Sequence, residues 1–170
     1  MNYLIAIFFI FLSAASFAKE ECDPDSVGLN NESSDIEKYF YTGTCHYRNK
    51  EYSLSVESWE KLVPLASTSA HDEELKVDVL NNLGYMKFFG FGTDKDQEGA
   101  ISYWQKAILL GHYEAEFHLC HAYADEKEIT YDLSKARKHC EKARLIYKGK
   151  DNPDPDITSS IEYYIEKIGS

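Results

Sequence analysis

A chain that repeats itself every 36 residues is confined to architectures built by stacking one unit on the next, and this chain does so over its centre. Leu83-Gly84 recurs as Leu119-Cys120, Asp96 as Asp132, Ala100 as Ala136 and Lys106-Ala107 as Lys142-Ala143, with Trp104 aligned on Cys140. Each unit holds two helical patterns. In the first unit, Val79, Leu80 and Leu83 form a stripe, the run Gly90–Lys95 breaks it, and Asp96 is placed to cap a second helix. That second helix carries Ala100, Ile101, Trp104, Ala107 and Ile108 at spacings of three and four. Ala100 and Ala107 are expected to face Gly84 across the hairpin, small residue against small residue. A lone hairpin cannot cover its own apolar face, so its neighbours must stack on it.

The rest of the chain fits around these units. We read residues 76–111 as one unit and 112–147 as a second, more divergent one that turns over Glu126–Tyr131 and restarts at Asp132. Upstream, residues 35–66 read as another hairpin, with Gly43, Ser55, Trp59 and Leu62 on its inner faces. The polar stretch Ser67–Glu74 reads as a joint. Downstream, Ile157, Ile161, Ile165 and Ile168 form the stripe of a terminal capping helix over 157–168. Residues 19–34 form an irregular lead-in. Residues 1–18 carry no charge, run apolar from Tyr3 to Leu12 and end in Ser16-Phe17-Ala18, which predicts an export signal cut after Ala18. Spanning a bilayer takes about 20 apolar residues. No later stretch is long enough, so no membrane insertion is expected once the signal is removed, and the expected location is periplasmic or secreted.

The motif Leu83-Gly84, Gly90-x-Gly92, Asp96, Ala100, Tyr103-Trp104-Gln105-Lys106-Ala107, Gly111 and Ala115 resembles the Sel1-like repeat family, relatives of the tetratricopeptide repeat. The resemblance covers roughly residues 79–147. It departs from the family pattern at Lys87, where a Tyr is usual, and in the second unit's loop, where Glu126 and Glu128 replace the Gly-x-Gly. It implies an all-α fold, a short right-handed α-α solenoid of Sel1-like and tetratricopeptide-like helix hairpins with a C-terminal capping helix. It also implies a non-enzymatic scaffold that binds a protein or peptide.

Export and an even cysteine count favour disulfides, and four thiols allow three pairings. Cys120 holds the place of Gly84 and Cys140 that of Trp104, positions that face each other in the repeat. Pairing them leaves Cys22 and Cys45 to tie the lead-in to the first helix; the alternative is four buried thiols. His118, His121 and His139 lie beside Cys120 and Cys140, but zinc would need both thiolates reduced and all ligands convergent. We read these histidines as helix-surface residues and expect neither metal nor cofactor. No nucleophile motif, phosphate loop or His-Glu-x-x-His is present, so no catalytic residue is assigned.

What remains is a surface. The first helices of stacked hairpins line the concave side, and one face of them supplies Phe40, Thr44, Tyr47 and Arg48, then Asn81, Tyr85, Phe88 and Phe89, then Phe117, His121 and Asp125. Aromatics among acids make an anchor surface for a partner, although Phe88 and Phe117 also fit an inter-repeat core. With 18 Lys and Arg against 29 Asp and Glu, the net charge of -11 excludes nucleic acid as a partner and suits a basic protein. The expected function is an exported adaptor. Two alternatives stay open. One is a stoichiometric inhibitor or immunity protein for an antibacterial effector. The other, implied by cysteine-rich members of the resembled family, is binding or hydrolysis of β-lactams, for which the sequence offers no reactive residues.

Overall fold

The computed structural model describes residues 21–169, and the segment read as an export signal lies outside them. The described residues form seven helices and no strand: α1 (Asp35–Arg48), α2 (Tyr52–Leu62), α3 (Ala70–Phe89), α4 (Gln97–Leu109), α5 (Ala115–Ala124), α6 (Leu133–Lys148) and α7 (Pro155–Gly169). This is the all-α solenoid architecture of Sel1 and tetratricopeptide hairpins. The pairs α1/α2, α3/α4 and α5/α6 pack as hairpins, α3 rests on α1 and α2, α4 meets α5, and α7 closes the stack against α5 and α6.

Side-chain caps explain where most helices start. Ser34 Oγ accepts from the Glu37 amide while the Glu37 carboxylate accepts from the Ser34 amide, a reciprocal capping box that starts α1. Ser69, Asp96 and Asp132 cap α3, α4 and α6 through their side chains. Gly90 ends α3 in the left-handed region (φ 73°). Two residues on, Gly92 (φ 70°) lies so close to the first turn of α2 that a Cβ would run into the Tyr52–Ser53 peptide. That contact docks the α3–α4 loop onto the preceding hairpin.

The joint read at Ser67–Glu74 is shorter than expected, because α3 starts at Ala70 rather than near residue 76. Its first turns are polar outward and show no stripe, but Ser69 caps them and Asp72 and Leu75 are buried. Further along, α3 buries Val79, Leu80, Leu83, Met86 and Phe88 on several sides, as befits a helix clasped between α1/α2 and α4.

The expected Gly–Ala approach between α3 and α4 is also replaced. A Cβ on Gly84 would sit 2.5 Å from Trp104 Nε1, so what the glycine makes room for is an indole. Trp104 Nε1 donates to the Asn81 carbonyl at 3.1 Å. The first hairpin repeats the device, with Gly43 against Trp59 (2.6 Å) and Trp59 Nε1 donating to the Phe40 carbonyl at 3.3 Å. In the third hairpin, Cys120 and Cys140 occupy these two places and lie at disulfide distance, 2.06 Å between sulfurs. Cys22 and Cys45 lie at 2.04 Å and fasten the lead-in to α1.

Asp72 ties the lead-in to α3. Its carboxylate accepts from Ser34 Oγ (2.7 Å), Thr68 Oγ1 (2.7 Å) and the Thr68 amide (2.8 Å). These donors, Ser34 first and then Thr68, hold its pKa down at about 2. A carboxyl depressed in the fold stabilises it above the unfolded pKa, near 4, and loses that contribution as pH falls from there through about 2. Asp72→Asn is therefore expected to cost about 2 kcal/mol at pH 7. In urea titrations the gap from wild type should close between pH 4 and pH 2; a gap independent of pH would contradict this reading.

Candidate functional site

The hairpins leave a groove of about 320 Å³ where α1, α3 and the start of α5 converge. Phe40, Thr44 and Tyr47 line it from α1, Asn81, Asn82, Tyr85 and Met86 from α3, Glu114 and His118 from the start of α5, and Trp59 backs it from α2. Of the surface read from the sequence, Phe40, Thr44, Tyr47, Asn81 and Tyr85 are thus brought together. Helix periodicity accounts for this set: Phe40, Thr44 and Tyr47 follow at spacings of four and three, and Asn81 and Tyr85 at four.

A second, more open cavity of about 890 Å³ joins the first through Asn81, Asn82 and Glu114. Its further walls carry Glu73, Glu74 and Asp78 from α3 and His112 from the α4–α5 turn. Lys76, the cation there, donates to the Leu65 carbonyl. Asn81 is only 4% exposed, and its Oδ1 has no hydrogen-bond partner among the described residues. Burial is the main reason His118 stays neutral, with a pKa pushed down to about 3; His121 and His112 add to it. The groove therefore gains no positive charge from that ring at neutral pH.

Beyond Tyr85 an aromatic ribbon continues across the stack. Tyr85 meets Phe89 at 4.8 Å between ring centroids, Phe89 stacks on Phe91 at 5.8 Å and on His121 at 5.8 Å, and His121 reaches Tyr164 of α7 at 5.5 Å. Tyr47, Phe89 and Phe91 are 39%, 36% and 38% exposed, so the ribbon presents apolar rings to solvent. Phe89 and His121, both read from the sequence, belong to this ribbon and not to the groove.

The remaining residues of that reading lie elsewhere. Phe88 is completely buried against Trp104 (5.3 Å), because it follows Lys87 by about 100° around α3 and turns into the α3–α4 interface. Phe117 packs with Ala143, Tyr147 and Ile161, under α6 and α7. Arg48 lines a separate cavity with Tyr41 and the lead-in residues Ser26 and Val27. Asp125 ends α5 and accepts from the Lys127 amide at 3.1 Å.

Sequence reasoning missed Asn82, Met86, Glu114 and His118. The signal for Glu114 was its place just before α5, at the junction of two units, where a side chain faces the preceding hairpin. Nor are the histidines plain surface residues. His118 stacks on Trp104 (5.0 Å, 17°), His121 sits in the ribbon, and His139 Nδ1 meets the buried Glu116 carboxylate at 2.6 Å. Burial raises the Glu116 pKa, but His139 and Lys142 outweigh it and hold the carboxylate ionised. These rings have separate partners and do not converge. Among the described residues, Cys22, His46 and Glu51 do bring donor atoms within 4.8 Å, but the Cys22 sulfur is the one at disulfide distance from Cys45.

No helix among the described residues is long and apolar enough to cross a membrane. The family model for the Sel1 repeat matches residues 77–112 and 114–145. Neither the curated proteins nor the solved structures contain a match.

Proposed function

With two Sel1 repeats between residues 77 and 145, we propose that the chain is an exported, non-catalytic module that holds a protein partner in its concave groove and against the adjoining aromatic ribbon. Sel1 repeats generally mediate protein–protein interaction, and scaffolds of this kind are typically non-catalytic. The observation that carries the reading is the convergence of Phe40, Tyr47 and Tyr85 on one groove, continued by exposed rings at Phe89 and Phe91. Rigid aromatic side chains on a preformed scaffold supply anchor area at little entropic cost. Two cysteine pairs at disulfide distance and the lack of a spanning helix among the described residues are compatible with a periplasmic or extracellular location.

The net charge of -11 favours a basic partner, steered in by long-range attraction. Association should then slow with added salt, and a salt-independent rate would remove the steering component.

Affinity capture tests the reading. The oxidised full chain, immobilised and exposed to envelope and secreted extract, is expected to retain one stoichiometric partner. Tyr85→Ala and Phe89→Ala should each weaken that complex by roughly 30-fold while leaving the helical circular dichroism intact. A partner held equally by both variants would place the interface elsewhere. If the partner is a toxic enzyme silenced one to one, the module acts as an inhibitor; if it is an assembly or signalling protein, as an adaptor.

A further inference from the structure

The groove has a composition that selects what enters it. Its rings offer π faces, its polar groups include the Glu114 carboxylate and the Asn81 side chain, whose buried Oδ1 has no partner among the described residues, and the neutral His118 supplies no positive charge. Glu114 takes part in none of the salt bridges among the described residues. The adjoining cavity adds Glu73 and Glu74, while Asp78 faces His112 Nε2 at 3.5 Å and the cavity's one lysine is turned to a backbone carbonyl. An unpaired buried acceptor costs free energy that a donor from outside would recover. Aromatic faces beside a carboxylate attract a cation and cover its aliphatic stem.

We propose that the groove is a receptor for a basic side chain, a lysine or arginine presented by the protein partner, with the cation held by Glu114 and the Asn81 amide oxygen and the stem lying on the groove's rings. The acidic extension through Glu73 and Glu74 then takes the basic residues that follow in the same segment. The carboxylate stands at the cap of α5, the buried acceptor on α3, and the rings on α1, α2 and α3. One seat for a cation emerges only when the hairpins stack. The proposal rests on the groove being the partner's binding surface and names what it recognises there.

The test uses three acetylated, amidated pentapeptides, Ala-Ala-X-Ala-Ala with X as lysine, arginine or the uncharged isostere norleucine, titrated into the isotopically labelled full chain. The lysine and arginine peptides are expected to shift the Trp59 indole and the Asn81 and Asn82 amide resonances. The norleucine peptide should bind at least about tenfold more weakly. Glu114→Gln should erase that preference, while Glu162→Gln on α7, outside both cavities, should keep it. Equal binding of the norleucine peptide, a preference surviving Glu114→Gln, or no groove response to any peptide at about 10 mM would each overturn the proposal. Its failure is separable from that of the binding function. A captured partner that is lost on Tyr85→Ala but unaffected by Glu114→Gln leaves the groove as an interface and removes the cation seat.

Discussion

Trp104→Ala is expected to destabilise the chain by about 3–5 kcal/mol, the cost of removing a fully buried tryptophan and leaving its cavity. The indole fills the space that Gly84 leaves open, stacks on His118, meets the Phe88 ring at a tilt, and donates to the Asn81 carbonyl. It thus joins α3, α4 and α5 at one point. Native stability of about 5–15 kcal/mol leaves little margin after such a loss. Gly84→Ala attacks the same contact from the other side and should cost less, about 1–3 kcal/mol, because the helices can spread by a fraction of an ångström. Urea unfolding followed by circular dichroism gives both values. Near-neutral Trp104→Ala would mean that the indole does not hold the hairpin. Because Asn81 also floors the groove, Trp104→Ala should weaken partner binding in proportion to its effect on folding.

Opening the Cys120–Cys140 pair should cost about 3 kcal/mol, since the two residues close a loop with a separation of 20 in sequence. Both residues are completely buried and stand where the other hairpins carry a glycine and a tryptophan. No aromatic ring is left to fill the gap, so cross-linking and packing are lost together. Cys120→Ala/Cys140→Ala avoids burying hydroxyls and is the cleaner variant. The Cys22–Cys45 pair has a similar separation, 23, but fastens a lead-in with little core of its own. Its loss should free that segment without unfolding the repeats. Denaturant midpoints with and without reductant, alongside a thiol count by mass spectrometry, check both. Four free thiols in the exported protein, or a midpoint indifferent to reductant, would contradict the account.

The contrast between the Trp104 and Cys120 hairpins also shows what sequence can reveal. Asp96 and Asp132 cap helices because a short carboxylate before an apolar stripe has one low-cost place to go, and both do so here. The Ser34–Glu37 box starts α1 by the same physics, although it was not read from the sequence. The facing of Cys120 and Cys140 followed from laying one unit on the other. The close contact was misjudged because a glycine opposite alanines implies close backbones, whereas this glycine accommodates an indole.

The groove was legible only in part. Phe40, Tyr47 and Tyr85 share a helical period, so their faces could be inferred within each helix. How α1 is rotated relative to α3 is another matter. Trp59 and Trp104 are further apart in sequence than Trp104 and Cys140, so the 36-residue period does not carry over to the first hairpin. On α5 the inferred face was displaced by one helical row, which selected His121 of the ribbon over His118 of the groove. Phe88 and Phe89 were both read onto the concave face, with a core place left open for Phe88; neighbours in a helix cannot share a face, and Trp104 claims Phe88.

The claim that partner recognition lies on the concave side is tested most directly by photocrosslinking. A benzophenone amino acid is placed at Tyr85 in the groove, or at Leu109, which is 84% exposed at the end of α4 and lines neither cavity. The expected result is an adduct with one partner protein from position 85 and none from position 109. Equal adducts from both positions, or an adduct from position 109 alone, would contradict the groove as the binding surface.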